Sequence, residues 1–440
     1  MNSPKKLLLF ASKLGYQTRS FQSAADKLGV EIIYVTDRCH RLNDPWHDQA
    51  LAVHFESPDV AAGTVLEAVR ALGIDGVLAV GDRPTITAAA VARGLAIPHN
   101  HPASVEACRS KLRTREVLSG AGVPCPWFRS MNLTPLPEPS LLGIEYPCVL
   151  KPLSLSASQG VTRANKREEF LAGAVRLKRL LDSPEIRATR ERNLDQMLVE
   201  GYLEGKEVAA EALLTSGDLR ILAIFDKPDP LEGPYFEESI YVTPSRLTLA
   251  EQQAVEASLL SSVRALGLAH GPVHAEFRLN EQGVWPLEIA PRPIGGLCAR
   301  ALQFEAPGTE KKFGLEELLL RHALERGSFS LELVQREREA SGVMMIPVPQ
   351  SGILEKVEGI EEAKATQGIN GLEITARLHD FIAAWPEGSS YLGFLFARAP
   401  EPTEVEKALR EAHRKLRLTL TPKLPVEHPA SRTVVRSDGS

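Results

Sequence analysis

Two glutamates stand where the core of a strand would favour apolar side chains. The stretch "VHAEFRLNEQGVWPLEIAPRPIGG" holds two apolar runs, and the residues between them end in Gly283. A three-residue hairpin loop commonly ends on a residue in the left-handed conformation, which suits glycine. Such a loop pairs Asn280 with Val284. It therefore predicts that Glu276 lies directly opposite Glu288.

Facing carboxylates destabilise a sheet unless a cation lies between them. Their oxygens suit Mg²⁺ or Mn²⁺. The alternative interpretation is an exposed hairpin with two solvated glutamates. Arg292 and the Gly295-Gly296 pair follow at once and add a cation and an open backbone. We therefore predict that Glu276 and Glu288 bind a metal ion together with a phosphate.

A phosphate-binding loop is predicted upstream, in "YPCVLKPLSLSASQGV". This stretch is an apolar strand that ends at Lys151, followed by a loop of small residues that includes Ser158 and closes at Gly160. Small residues let backbone N–H groups approach a polyphosphate, and the lysine adds a positive charge. A solvated edge strand would also end in lysine. The chain has no G-x-x-x-x-G-K-[ST], so a P-loop is excluded.

The segment "LVEGYLEGKEVAAEALL" could bind a nucleoside. Glu200 follows an apolar strand and could accept the adenine amino group, while the backbone of Tyr202 and Leu203 reads the ring edge. Glu207, after a glycine-containing turn, could accept ribose hydroxyls. A half-exposed hairpin explains this segment equally well when it is considered alone.

The order of these motifs resembles the ATP-grasp superfamily of carboxylate–amine ligases. Its lysine helix is similar to "SKLRTR", its phosphate loop to "LSASQGV", and its hinge to E-x-Y-L-x-G-x-E. The resemblance implies that the phosphates of ATP contact Lys111, Lys151, Ser158 and Gly160. It implies adenine and ribose contacts at Glu200, Tyr202, Leu203 and Glu207. It also implies that Mg²⁺ (or Mn²⁺) binds Glu276 and Glu288. Two positions depart from the family pattern. Ser110 stands where Asp is usual, and Ala290 replaces the usual Asn, which leaves open whether one or two ions bind.

The region around Arg292 is similar to the L-amino-acid ligase branch, which includes dipeptide-forming and carnosine-synthase-like enzymes. The C-terminal segment and the insertion "FDKPDPLEGPYFEESIYVTPS" resemble the same branch. The resemblance implies a catalytic role for Arg292 on the acyl intermediate, with a salt bridge to a neighbouring glutamate as the alternative. Substrate contacts are predicted at Lys227, Glu238, Gly295 and Gly296. For Lys227 and Glu238 the alternative is an exposed loop charge.

Composition limits the partners of this chain. Its 440 residues need more than one core, and a net charge of −5 gives no basic field for nucleic acid. The five cysteines are scattered, which fits a reducing compartment. No apolar run is long enough to cross a membrane, and the start of the chain fits a buried strand better than a signal peptide. We expect a cytoplasmic protein with small-molecule partners, no nucleic acid and no membrane; a homodimer is left open.

The predicted fold combines α/β and α+β parts. Residues 1–105 alternate strands and helices as a doubly wound parallel α/β domain does. Residues 106–310 fit an ATP-grasp domain of two α+β subdomains, which opens with one helix over "SVEACRSKLRTREVLSGAG". Residues 311–425 form a small C-terminal α+β domain, and 426–440 a disordered tail.

The sequence thus predicts an ATP-dependent carboxylate–amine ligase. It would form an amide or peptide bond between amino-acid-like substrates through an acyl phosphate and release ADP and phosphate. Another ATP-grasp activity, such as carboxylation or purine-pathway ligation, would use the same ATP residues. A non-catalytic ATP-binding sensor is the third alternative, and Ser110 and Ala290 keep it open.

Overall fold

The computed structural model describes residues 3–12, 16–37, 50–139, 143–306, 311–325 and 334–422. The predicted disordered tail at 426–440 lies outside these ranges. The strands are β1 (Lys6–Ala11), β2 (Glu31–Thr36), β3 (Leu51–Ala52), β4 (Gly76–Val80), β5 (Phe128–Asn132), β6 (Cys148–Pro152), β7 (Thr162–Ala164), β8 (Gln196–Gly201), β9 (Lys206–Thr215), β10 (Asp218–Asp226), β11 (Ile240–Thr243), β12 (Gly271–Asn280), β13 (Gly283–Ala290), β14 (Gln303–Glu305), β15 (Phe313–Gly314), β16 (Gln335–Arg336), β17 (Ala340–Ile346), β18 (Gly352–Glu358), β19 (Ile369–Ile374), β20 (Phe381–Ile382), β21 (Gly393–Ala399) and β22 (Arg417–Thr421). The helices are α1 (Tyr16–Leu28), α2 (Pro58–Val69), α3 (Thr85–Gly94), α4 (Pro102–Arg109), α5 (Lys111–Gly120), α6 (Arg167–Leu181), α7 (Pro184–Arg187), α8 (Leu249–Leu266), α9 (Leu315–Leu324), α10 (Ile360–Lys364) and α11 (Pro402–Lys415).

The N-terminal region is the predicted parallel α/β unit. Its sheet has the order β3-β2-β1-β4, and all its pairings are parallel. Leu7 through Phe10 are fully buried, because both faces of β1 carry apolar side chains and both faces of the sheet are covered. In such a sheet ligands bind beyond the carboxyl ends of the strands, which here include the residues after β4.

The lysine helix is interrupted, whereas the sequence predicted one continuous helix. Ser110 adopts an extended backbone conformation (φ −98°, ψ 111°) between α4 and α5, and its hydroxyl accepts the backbone N–H of Arg113 at 3.3 Å. Serine favours this capping geometry over the helix interior. The break makes Lys111 the first residue of α5.

Two antiparallel sheets follow. The smaller sheet has the order β5-β8-β6-β7 and packs against α6, and the larger has the order β13-β12-β9-β10-β11-β17-β21-β19. The larger sheet runs across the predicted division at residue 310, because β11 pairs with β17 in the C-terminal part. Helix α9 also contacts α1 and β4 of the N-terminal region. The C-terminal part therefore continues the ATP-grasp sheet.

Strands β18 and β22 were not predicted. They form a three-stranded sheet with the order β20-β18-β22. Strand β18 (GILEKVE) has no regular alternation of apolar residues, and β22 (RLTLT) alternates over only five residues, so the sequence signal for both strands is weak. Among the described helices, none is long and apolar enough to cross a lipid bilayer.

Candidate functional site

The hairpin of β12 and β13 brings the two predicted metal ligands together. Glu276 lies directly opposite Glu288, as predicted. The predicted loop length is wrong: Gly283 belongs to β13 and pairs with Asn280, which leaves a loop of two residues. A β-bulge at Leu287 absorbs one residue of β13 and restores the pairing of the glutamates.

Arg115 of α5 holds this bulge in place. Its guanidinium donates to the carbonyls of Pro286 and Leu287, both at 3.0 Å, and its Nε donates to Glu200 at 2.7 Å. The side chain is only 2% exposed. Because the bulge disrupts the ladder, its carbonyls need other donors, and the planar guanidinium supplies two. Arg115 therefore fixes the strand that carries Glu288.

We expect Arg115→Lys to lower the free energy of unfolding by about 3 kcal/mol, because lysine cannot satisfy Glu200 and both carbonyls. Chemical denaturation would measure the change. Arg113→Lys is the matched control on the same helix, since Arg113 is 62% exposed and makes only a surface pair with Glu116. Equal stability of the two variants would contradict the role assigned to Arg115.

Two lysines meet at the predicted phosphate position. Lys151, in β6, places its Nζ 2.6 Å from Glu200 Oε2. Lys111 donates to the carbonyl of Leu155, in the small-residue loop. Burial lowers the pKa of Lys111, and the nearby carboxylate of Glu288 opposes that shift. Both lysines line the same two chambers as Leu155 and Ser156 of the loop.

Glu200 is the anion that balances these cations. Burial raises its pKa, but Arg115 and Lys151 outweigh that effect and lower the pKa to about 2. Its carboxylate is therefore ionised and bonded to Arg115 and Lys151. Contact between Glu200 and adenine stays a prediction.

The hinge residues lie beside a group of cations. The ring of Tyr202 lies under Arg163, whose guanidinium carbon is 3.9 Å from the ring centroid. Arg278 donates to the carbonyl of Leu203 at 3.1 Å and to Glu207 at 2.9 Å. These contacts fix the backbone that was predicted to read adenine.

Lys227 and Glu238 are not exposed loop charges. The side chain of Lys227 is 3% exposed, and its Nζ lies 2.8 Å from Glu207, 2.6 Å from Glu238 and 3.1 Å from Glu276. Burial and the charge of Glu276 raise the pKa of Glu238 to about 7, against the opposing effect of Lys227. The ammonium of Lys227 thus lies among three carboxylates.

These carboxylates suit a divalent metal ion. Oxygen atoms of Glu207, Glu238 and Glu276 lie within 4.8 Å of one another, close enough to hold one ion. The Glu288 carboxylate lies 3.6 Å from Arg292. A set made only of carboxylate oxygens fits a hard cation such as Mg²⁺. The sequence did not predict Glu207 or Glu238 as metal ligands.

Arg292 pairs with an aspartate that the sequence analysis did not single out. Its Nε lies 2.7 Å from Asp82 Oδ1, and its Nη2 lies 3.3 Å from Asp82 Oδ2. Burial raises the pKa of Asp82, but the charge of Arg292 outweighs it, so the pKa stays below its ordinary value. Asp82 follows β4 at the carboxyl edge of the parallel sheet, and this position is the signal that could have revealed it.

The site residues line two adjoining chambers. The first has about 750 Å³ of empty space, including its open mouth, and the second about 610 Å³. The predicted residues that line the first chamber are Lys111, Lys151, Ser158, Glu200, Tyr202, Leu203, Glu207, Glu276 and Glu288. Lys111, Lys151, Glu200 and Glu288 also line the second, together with Asp82. The chambers therefore meet at the cations and at Glu288.

Two other predicted residues, Gly160 and Gly296, are not among those that line either chamber. Gly160 donates its N–H to the carbonyl of Pro386 at 2.8 Å. Gly296 has a φ of +62° and lies against the ring of Phe394, which is 2.9 Å from where a Cβ would be. Ala290 lines the second chamber and offers no side-chain oxygen.

Three family models match the chain. They are the ATP-grasp N-terminal domain at residues 21–99, the ATP-grasp domain at 144–301, and the L-amino acid ligase C-terminal domain 2 at 344–421. This chain is an ATP-grasp protein. The prediction of family and fold is confirmed, and the third match covers the C-terminal part that resembled the L-amino-acid ligase branch.

Individual relatives of this ATP-grasp protein are distant. An uncharacterized protein, y4rH, of Sinorhizobium fredii is 25% identical over 375 residues, which cover 83% of this chain and 72% of that protein. An alanine–anticapsin ligase of Bacillus amyloliquefaciens is 25% identical over 328 residues, covering 69% and 66% respectively. The crystal structure of an L-amino acid ligase from Bacillus licheniformis has a TM-score of 0.79 at 24% identity and covers 96% of this chain and 100% of that one. This structural similarity shows a shared fold.

Proposed function

We propose that the protein is an ATP-dependent ligase that joins the carboxylate of one amino-acid-like substrate to the amine of another. The observation that carries this proposal is the junction of the two chambers, where Lys111, Lys151 and Glu288 belong to both. A nucleotide in the first chamber would present its γ-phosphoryl group to an acceptor in the second. The match to an L-amino acid ligase domain and the similarity to an alanine–anticapsin ligase support the choice of acceptor.

The reaction has two steps. An oxygen of the substrate carboxylate attacks the γ-phosphorus of ATP, which releases ADP and leaves an acyl phosphate. The amine then attacks the acyl carbon, loses a proton and displaces phosphate, so that an amide forms. Lys111 and Lys151 offset the negative charge on the phosphoryl oxygens, and such positioned charges supply most of the catalysis in phosphoryl transfer.

The cofactors are ATP and Mg²⁺ (or Mn²⁺). In this proposal Ser158 and the Gly160 backbone approach the phosphates, Glu200, Tyr202 and Leu203 hold adenine, and Glu207 holds ribose. Glu276 and Glu288 would hold the metal ion that neutralises phosphate charge when it is bound. The group of Glu207, Glu238 and Glu276 is a second candidate position for a divalent ion. Without the metal ion, Lys227 offsets the negative charge of Glu207 and Glu276 through ion pairs.

The Asp82–Arg292 pair suits an amino acid as the substrate. Asp82 is an ionised carboxylate that lines the second chamber, and Arg292 lies beside it and near Glu288. A carboxylate and a guanidinium match the ammonium and carboxylate of a zwitterion. Because the Nε and Nη2 of Arg292 are paired with Asp82 in the structure, the substrate would have to replace part of that ion pair. Gly295, Gly296, Lys227 and Glu238 stay candidates for substrate contacts. We further propose a cytoplasmic location, which the scattered cysteines support.

A phosphate-release assay over a panel of amino-acid pairs tests the proposed function. We expect release only when ATP, Mg²⁺, a carboxylate substrate and an amine substrate are all present. Turnover with GTP but not with ATP would contradict the adenine contacts. Tight ATP binding without turnover on any pair would favour the sensor alternative.

Arg292→Lys separates a catalytic from a structural role for this arginine. We expect kcat and kcat/KM to fall together by about 100-fold with ATP affinity unchanged, because lysine cannot bridge the carboxylate and the transferring phosphoryl group. Asp82→Asn is the companion variant, since it weakens the ion pair but keeps the guanidinium. An Arg292→Lys protein that melts at a lower temperature and keeps its kcat would make Arg292 structural.

A further inference from the structure

The small-residue loop is fastened to the C-terminal part of the chain. We call residues 154–160 the phosphate loop and residues 385–387 the strap. The indole Nε1 of Trp385 donates to the carbonyl of Ala157 at 3.2 Å, and Gly160 donates its N–H to Pro386 at 2.8 Å. Gln159 Nε2 donates to the carbonyl of Glu387 at 2.7 Å. The strap therefore bonds three of the last four residues of the loop.

The phosphate loop needs such support because of its backbone conformation. Ala157 and Ser158 have φ values of +55° and +52°, and Gly160 has +77°. Residues other than glycine in the left-handed region are strained and persist when surrounding contacts hold them. The strap bonds fall on Ala157 and Gln159, which flank Ser158, and on Gly160.

Aromatic contacts and an ion pair hold the strap in place. The ring of Trp385 stacks on Tyr391 with 4.8 Å between centroids, and Tyr391 meets Phe394 edge-on at 6.3 Å. Phe394 lies fully within β21, where it pairs with Met345 of the large sheet. The Glu387 carboxylate also lies 2.8 Å from Arg176 of α6. The indole N–H is thus presented to the loop from packed aromatic rings.

We propose that Trp385 is a positioning residue, which holds the phosphate loop in the conformation that receives the phosphates of ATP. The inference rests on the proposed function only for the identity of that ligand. The hydrogen bond between Trp385 and Ala157 joins the segment matched by the L-amino acid ligase C-terminal domain to the ATP-grasp domain. The C-terminal part would in this way contribute to nucleotide binding without lining the nucleotide chamber.

Trp385→Phe tests the role, because phenylalanine keeps an aromatic ring against Tyr391 but has no N–H donor. Trp285→Phe is the matched control, since Trp285 Nε1 donates to Asn280 at 3.1 Å on the hairpin tip. Each variant loses one indole hydrogen bond, so a general loss of stability should be similar in both. Two measurements are made on each: backbone hydrogen exchange of residues 154–161 without nucleotide, and the Kd for ATP in Mg²⁺.

We expect faster exchange in the phosphate loop of Trp385→Phe and a rise of about 2- to 10-fold in its Kd for ATP, the range that corresponds to one lost hydrogen bond. Trp285→Phe should change neither. Unchanged loop exchange in a folded Trp385→Phe protein, or equal exchange in both variants, would overturn the proposal. If Trp385→Phe does not fold, Gln159→Ala removes another strap bond from a surface side chain, and unchanged loop exchange there would also overturn it. If the protein binds no ATP, the proposed function fails, while the exchange comparison still decides the role of Trp385.

Discussion

Glu288→Gln is expected to lower the rate of phosphate release at least about 100-fold while the melting temperature stays near that of the wild type. Glutamine keeps the shape of the side chain but removes the charge that faces Glu276 across the hairpin. Glu288 is 34% exposed, and its contact with Arg292 at 3.6 Å is long, so the fold depends little on its charge. Activity and thermal unfolding, measured on the same preparation, separate the two effects.

The control for this variant lies in the same hairpin. Glu281 is exposed in the loop between β12 and β13, so Glu281→Gln makes the same chemical change away from the chambers. We expect it to keep wild-type turnover. Full activity of Glu288→Gln in saturating Mg²⁺ would refute the assignment of Glu288 as a metal ligand.

Lys227→Met should destabilise the protein by about 3–5 kcal/mol in the absence of divalent ions, because methionine leaves three partly buried carboxylates without their cation. Mg²⁺ or Mn²⁺ should restore part of that loss, since Glu207, Glu238 and Glu276 are placed to hold one ion. Chemical denaturation with EDTA and with added metal would measure both effects.

Lys206→Met provides the comparison for this second prediction. Lys206 begins β9, is 74% exposed and lies 3.9 Å from Glu251, so its removal should change stability by less than about 1 kcal/mol. Wild-type stability of Lys227→Met in EDTA would contradict the account of the buried charges. A loss that no divalent ion reverses would argue against a metal ion bound among Glu207, Glu238 and Glu276.

Local patterns predicted much of the site. A register taken from a three-residue loop placed Glu276 opposite Glu288, and the pairing holds only because the bulge at Leu287 compensates for the shorter loop. The hinge motif selected residues that line one chamber with both lysines. These features follow from neighbours in the sequence or from motifs in a fixed order. The parallel sheet was predictable for the same reason, because its strands are continuous apolar runs.

Contacts between distant segments were not predictable from one sequence. The burial of Lys227 depends on β9, β12 and the segment before β11, which meet around it. The Arg292 pair depends on Asp82 from another part of the chain. Arg115 donates to the carbonyl at the bulge, Leu287, and this contact joins two segments that are far apart in the sequence. The extension of the large sheet by β17 depends on pairing with β11.

Transfer of ¹⁸O from the substrate carboxylate to the released phosphate tests whether the reaction passes through an acyl phosphate. An amino-acid pair that turns over in the panel is used with both oxygens of its acid labelled, and the released phosphate is analysed by mass spectrometry. We expect one ¹⁸O atom in each phosphate, because the carboxylate oxygen that attacks ATP leaves with the phosphoryl group. Unlabelled phosphate, formed at the same rate as the amide, would contradict an acyl phosphate intermediate.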